Sequence, residues 1–177
     1  YRQQVISSAS AMVQNLQQLD GALSGQMAKL SFEIKAVTDN SNGLLQQLAE
    51  LNSSISKATA LGHDTATLLD NRERAVQQLA GFIQLDVMPQ ADGTIQIATS
   101  NGAPLLMSDR AATLTVAGTS VSLQFNQQQF AVPATTGGSL GGLLKVSTEV
   151  LQPARQELSS LVQNIAGAVN GKLAQGF

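Results

Sequence analysis

A chain of 177 residues holds one ordinary domain or an elongated piece of a larger protein. Its ten basic and twelve acidic residues nearly cancel, which excludes the electrostatic footprint of a nucleic-acid or anionic-membrane binder. There is no cysteine, hence no disulfide framework or thiolate metal site, and no apolar run approaches the roughly 20 residues of a membrane span. Only 12% of residues are charged, against 21 glutamines, so the polar surface is built from amides and hydroxyls. No signal peptide is visible, and the chain opens on Tyr1-Arg2-Gln3-Gln4 rather than methionine. It reads as a segment of a longer protein.

The first third organises the rest. Every seventh residue from Ala9 is apolar: Ala9, Leu16, Leu23, Leu30, Val37, Leu44, Leu51 and Ala58. A second line runs beside it through Met12 and Leu19, then Met27, Ile34, Leu48 and Ile55. Such a repeat predicts a long helix packed lengthwise on partner helices. Continuous, it would span roughly 80 Å at 1.5 Å per residue. The run Thr38-Asp39-Asn40-Ser41-Asn42-Gly43 is loop chemistry, yet the repeat passes through it in phase, which favours a continuous helix over a break. The helix is expected to end near Leu61-Gly62, where glycine suits a C-terminal cap.

Asp64 or Thr65 can cap a second helix, with Leu68, Leu69, Val76, Leu79 and Ile83 as its apolar face. Asp70, Arg72, Glu73 and Arg74 form the one dense charge cluster. Asp70 and Arg74 are spaced for an intrahelical pair; the competing reading is a salt bridge to a neighbouring element. From Gln84 to Val132 the period changes to two. Leu85, Val87, Ile95 and Ile97 bracket Ala91-Asp92-Gly93 as a hairpin. Asn101-Gly102 turns into Leu105-Leu106-Met107, Leu114 and Val116 lead through Gly118-Thr119 to Val121, Leu123 and Phe125, and Phe130 and Val132 finish a sixth strand. Ser139 is a candidate N-cap for a returning helix carrying Leu144, Leu151, Leu158 and Ile165. Pro153 either kinks that helix or lies in the first turn of a restarted one.

The predicted class is α+β: an elongated antiparallel helical bundle carrying a small antiparallel β domain at one end. Its parts are residues 1–83, the first part of a helical rod; 84–134, the β domain; and 135–177, the returning helix.

No constellation points to chemistry, and the expectation is a chain without catalytic, cofactor-binding or metal site. His63 is the one histidine, and its neighbour Asp64 is more economically a helix cap than a catalytic partner. The run Gly137-Gly138-Ser139-Leu140-Gly141-Gly142 lacks the lysine of a P-loop and the strand–helix–strand setting of a dinucleotide fold. Asp86, Asp92 and Asp109 lack the spacing of a calcium loop. Met12 and Met27 fall on the apolar stripe as core.

The motifs carry a family resemblance. Leu68-Leu69-Asp70-Asn71-Arg72-Glu73 precedes strands bracketing Asp92-Gly93-Thr94. Gly138-Ser139-Leu140-Gly141-Gly142-Leu143-Leu144 then opens a long helix ending Val169-Asn170 before Gly176-Phe177. That order resembles the middle of the FlgK family of flagellar hook-associated proteins, best from about Thr67 to Phe177. Val146 after Lys145, and Lys172, depart from residues common in the family. The resemblance implies a structural protein at the hook–filament junction of the bacterial flagellum, extracellular and exported without a cleaved signal peptide. It implies as partners other copies in a junction ring, the neighbouring hook protein, a second junction protein and an export chaperone, with neither nucleic acid nor membrane. The alternative is a soluble coiled-coil adaptor that dimerises through its heptads. Against it, the first 62 residues hold eight charges, too few to flank a dimeric seam, so the chain itself is expected to be monomeric. The exposed face of Ser7, Ser8, Gln14, Gln18 and Ser24 suits weak contacts between subunits.

Overall fold

The computed structural model describes residues 2–174; Tyr1 and the Gly176-Phe177 ending lie outside it. The fold is α+β. Helix α1 spans Arg2–Ala60 and α2 spans Ala66–Phe82. Seven strands follow among the described residues: β1 Leu85–Pro89, β2 Ile95–Thr99, β3 Pro104–Met107, β4 Arg110–Ala111, β5 Thr113–Ala117, β6 Ser120–Phe125 and β7 Gln128–Val132. A 3₁₀ turn at Ala134–Thr136 leads into α3, Gly138–Val146, and a π-helical turn at Ser147–Leu151 leads into α4, Gln152–Ala174. Among the described residues, no helix is long and apolar enough to cross a membrane.

The chain divides into two compact units, one of residues 31–145 and one of residues up to 30 together with those from 146 onward. In the larger unit, all strand pairing is antiparallel, in two sheets ordered β1-β2-β3-β4 and β5-β6-β7. The sequence located every strand but β4, with β3 placed by the apolar run after Asn101-Gly102; the two residues of β4 are too few to show a period. The division into two sheets had no local signal. A register slip between Ile97 and Ala98 lets both Leu105 and Leu106 turn inward, against simple alternation. Val121, Leu123 and Phe125 are buried as their spacing predicts. Val87, expected inside, is exposed on edge strand β1.

Helix α1 is unbroken through 38–43. The loop-forming side chains there are engaged. Ser41 Oγ donates to the Val37 carbonyl at 2.8 Å, and Lys35 pairs with Asp39 at 2.7 Å one turn apart. The helix stops at Ala60, and Gly62 takes φ +70°, the left-handed conformation that closes a helix end with little strain in glycine.

Of the two apolar lines, this part of α1 buries the second, through Ile34, Leu48 and Ile55, and not the first. Val37, Leu44, Leu51 and Ala58 are only half-buried. The interior line is Ile34, Ser41, Leu48 and Ile55, with Thr38, Leu45 and Asn52 beside it. Three of these seven side chains are polar, so a count of apolar residues puts the seam one position off. Along this stretch strands of the same unit reach α1 through Ser31, Asn42 and Asn52, and α2 lies beside it at Leu44 and Gln47.

Helix α2 buries Ala75 and Leu79, with Ile83 at its end, whereas Leu69, assigned to its apolar face, is exposed. Helix α3 starts at Gly138, so Ser139 lies inside the first turn and is not the N-cap; the Gly137 carbonyl accepts the Gly141 N–H at 2.9 Å. Pro153 falls in the first turn of α4 without interrupting the helical path. The π turn just before it carries an i→i−5 bond from Gln152 N–H to the Ser147 carbonyl. That wider turn accommodates a residue that donates no bond and crowds the carbonyl four residues back.

Candidate functional site

The residues singled out for possible chemistry lie apart. His63 is exposed in the turn between α1 and α2. Asp64 Oδ1 accepts the Ala66 N–H at 3.0 Å, while Thr65, at the cap position, makes no side-chain cap bond. Asp86 is exposed on edge strand β1. Asp92 closes the β1–β2 turn, its Oδ1 accepting the Thr94 N–H at 3.0 Å and the Thr94 hydroxyl at 2.6 Å. These hydrogen bonds, the hydroxyl first, lower its pKa below the ordinary aspartate value. Asp92 and Asp109 share a small hollow with Lys57, Ser56 and Ser108. No group of three histidine or carboxylate side chains gathers among the described residues.

The glycine cluster packs rather than cradles. Gly137 and Gly138 take φ of +74° and +62°, and a Cβ on Gly138 would run into the backbone of Phe82 and Ile83. The Gln84 N–H donates to the Thr136 carbonyl at 3.0 Å, so the end of the α2 segment and the start of α3 meet backbone to backbone. Only glycine tolerates both the conformation and the approach.

Two asparagines that the sequence reading passed over hold the larger unit together. Asn42 receives the Leu114 N–H on Oδ1 at 2.8 Å and returns a bond from Nδ2 to the Leu114 carbonyl at 2.9 Å. Ten residues on, Asn52 does the same with Ile95, accepting its N–H at 3.1 Å and donating to its carbonyl at 2.7 Å. Asn52 Nδ2 also donates to the Ser108 carbonyl at 2.7 Å. A carboxamide carries the donor–acceptor pair of a peptide group, so each asparagine completes the hydrogen bonding of one strand residue from the side of a helix. Asn42 thereby holds β5 of one sheet and Asn52 holds β2 of the other. Ser31 Oγ adds a bond to the Gly118 carbonyl at 2.7 Å in the β5–β6 turn. Leucine at these places would leave strand groups buried and unmade, at about 1–3 kcal/mol each.

The charge cluster on α2 acts across elements. Arg72 Nη1 donates to the Gly93 carbonyl at 2.6 Å, fastening α2 to the β1–β2 turn by a hydrogen bond to backbone rather than a salt bridge. Burial lowers the Arg72 pKa from its usual value, with Glu73 opposing. Arg74, expected to pair with the Asp70 carboxylate, bonds the Asp70 carbonyl at 3.3 Å and Asn71 Oδ1 at 2.8 Å.

The smaller unit has the opposite character. An open groove of about 800 Å³ runs between α1 and α4, with Val13, Leu16 and Gly21 on one side and Leu158 and Val162 on the other. Asp20 and Arg155 stand among them, and Arg155 reaches Met27 Sδ at 3.8 Å. Ile6, Met12, Val13 and Leu19 of α1 and Leu161, Val162 and Val169 of α4 remain exposed. Ser7, Ser8, Gln14, Gln18 and Ser24 are exposed as well. Two helices supply too little apolar surface to close a core.

Comparison with known proteins gives this arrangement a context. Residues 1–177 match the family model described as the flagellar hook-associated protein FlgK helical domain. The chain is 29% identical over 189 residues to flagellar hook-associated protein 1 of Escherichia coli (strain K12), covering 99% of this chain and 34% of that protein. It is 27% identical over 188 residues to the protein of the same name from Salmonella typhimurium, with the same coverage. The solved structure of the flagellar hook junction protein FlgK from Burkholderia pseudomallei superposes with a TM-score of 0.70 at 26% identity, covering 82% of this chain and 28% of that one. The chain thus spans about a third of the length of the curated relatives it matches.

Proposed function

Since the chain belongs to the family of the flagellar hook-associated protein FlgK helical domain, we propose that it is a structural part of the bacterial flagellum at the hook–filament junction and works through contacts between subunits. The observation that carries this reading is the contrast in satisfaction between the units. Strand groups in the larger unit are closed off by α1 itself, whereas the smaller unit leaves Val13, Leu19, Val162 and Val169 unburied. Apolar side chains held on a helical scaffold and left open are what an assembling protein offers to further chain. On this reading the partners are other copies in a ring, the adjoining hook protein and second junction protein, and a chaperone before export. The place of action is outside the cell, reached without a cleaved signal peptide, and the role is not enzymatic.

The test is assembly. Val13→Asp with Val162→Asp in the full-length protein should leave the larger unit folded and abolish filament attachment. Filaments attached normally to such hooks would end the reading. The alternative, a dimerising coiled-coil adaptor, predicts a dimer of this 177-residue chain at every concentration in light scattering. We expect a monomer, because residues 34–55 of the heptad stretch already spend their buried seam on strands of the same chain.

A further inference from the structure

The dipeptide Asn-Gly occurs three times, as Asn42-Gly43, Asn101-Gly102 and Asn170-Gly171. Glycine carries no Cβ, so its nitrogen approaches the preceding side-chain amide with the least hindrance and the most backbone freedom. The three copies sit in different structure. Asn42 lies inside α1, where the Gly43 N–H belongs to the helical ladder and the Asn42 amide is bound at both ends by Leu114. Asn170-Gly171 lies in α4 near the end of the described chain. Asn101 and Gly102 are both exposed in the β2–β3 connection, with Gly102 at φ +82° and open space around its Cα. There one bond, from the Gly102 N–H to the Thr99 carbonyl at 2.8 Å, restrains the nitrogen.

We propose that Asn101 is a site of spontaneous deamidation in the folded protein, and that the fold shields Asn42 from the same reaction. The Gly102 nitrogen gives up its proton to hydroxide and attacks Cγ of Asn101. A C–N bond forms, the side-chain amide leaves as ammonia, and a five-membered imide remains. Water then opens either carbonyl of the ring, giving aspartate or isoaspartate. The exposed turn reaches the reactive geometry by opening one hydrogen bond. Asn42 reaches it only if α1 unwinds at a point held by Leu114, an opening that approaches global unfolding. The shielding matters because aspartate at 42 would have no donor for the Leu114 carbonyl and would put a charge beside β5. The same event at 101 adds one negative charge to a surface turn and touches no core contact.

Ageing the 177-residue chain at mildly alkaline pH, followed by peptide mapping for aspartate and isoaspartate, tests it. In the folded chain Asn101 should convert first, at least about tenfold faster than Asn42, with Asn170 between them. In guanidinium, where only sequence counts, the three rates should converge. Asn42 or Asn170 matching Asn101 in the folded chain would overturn the proposal. So would an unreacted Asn101 under conditions where the denatured chain converts. Asn101→Gln serves as the control: it should remove the fast phase and leave the conversion at Asn42 and Asn170 unchanged.

Discussion

The two halves of α1 carry the same heptad signal and put it to different use. From Ser31 to Ala60 the helix buries Ile34, Leu45, Leu48 and Ile55 and threads Thr38, Ser41 and Asn52 through the same seam. From Arg2 to Leu30 it leaves Ile6, Met12, Val13 and Leu19 exposed beside an open groove. The lesson is that a heptad repeat reports a helix with one apolar side and says nothing of what lies against that side. In the second half the partners include strands, and strands ask for amide and hydroxyl groups as well as methyl groups. In the first half Leu30 alone is buried among the described residues.

The sharpest way to break the comparison is to place one charge in each half. Leu45→Asp strands a carboxylate in a fully buried position and should unfold the larger unit. Leu19→Asp, on a side chain 55% exposed, should shift the thermal midpoint of the isolated chain by little more than a surface substitution does. Equal melting of the two variants would refute the division drawn here.

Next in size is Asn52→Ala. It removes three hydrogen bonds and leaves the Ile95 N–H and two carbonyls unmade in the interior. We expect a loss of about 3 kcal/mol in denaturant unfolding. Asn52→Asp keeps the acceptor for the Ile95 N–H but loses the donor, and should not restore stability. Asn42→Ala removes two bonds at a half-buried place. Its cost should be smaller, about 1–2 kcal/mol, with faster amide exchange on β5 than on β2. Exchange that rises equally on both strands would mean that the two sheets are not held separately.

The smallest effect concerns pH. Hydrogen bonds from Thr94 favour the ionised form of Asp92, so its folded pKa lies below its unfolded one. The resulting stabilisation is present above the ordinary aspartate range and fades as pH falls through the lower folded value. Acidification should therefore loosen the β1–β2 turn, and Asp92→Asn should flatten that response. An unaltered response in the variant would assign the acid sensitivity to other carboxylates.

Much of the fold is legible in local pattern. The stop of α1 just before Gly62 follows from glycine chemistry, and the β1–β2 turn follows from Asp92-Gly93-Thr94. Strands β5 to β7 follow from the alternation of Leu114 and Val116, of Val121, Leu123 and Phe125, and of Phe130 and Val132. The motif Gly138-Ser139-Leu140-Gly141-Gly142 marked the reversal into α3, although its first glycines, not Ser139, form the start. The two asparagine clamps were illegible. Asn42 stood in a run rich in loop residues, and the partners of Asn42 and Asn52 lie 72 and 43 positions away along the chain. Their nearest available signal was a pair of asparagines facing the apolar side of a long helix.

By itself, then, the sequence determined the kinds of elements, their order and the reversal points, because periods of 3.6 and 2 and the left-handed preference of glycine act within a few residues. It also determined the family, through motifs in a set order. Only the tertiary structure decided which line of α1 is inside, that seven strands part into two sheets, and that a π turn carries the helix past Pro153. Those outcomes depend on hydrogen-bond partners brought together from distant parts of the chain. A buried amide declares its role only when the strand it completes is beside it.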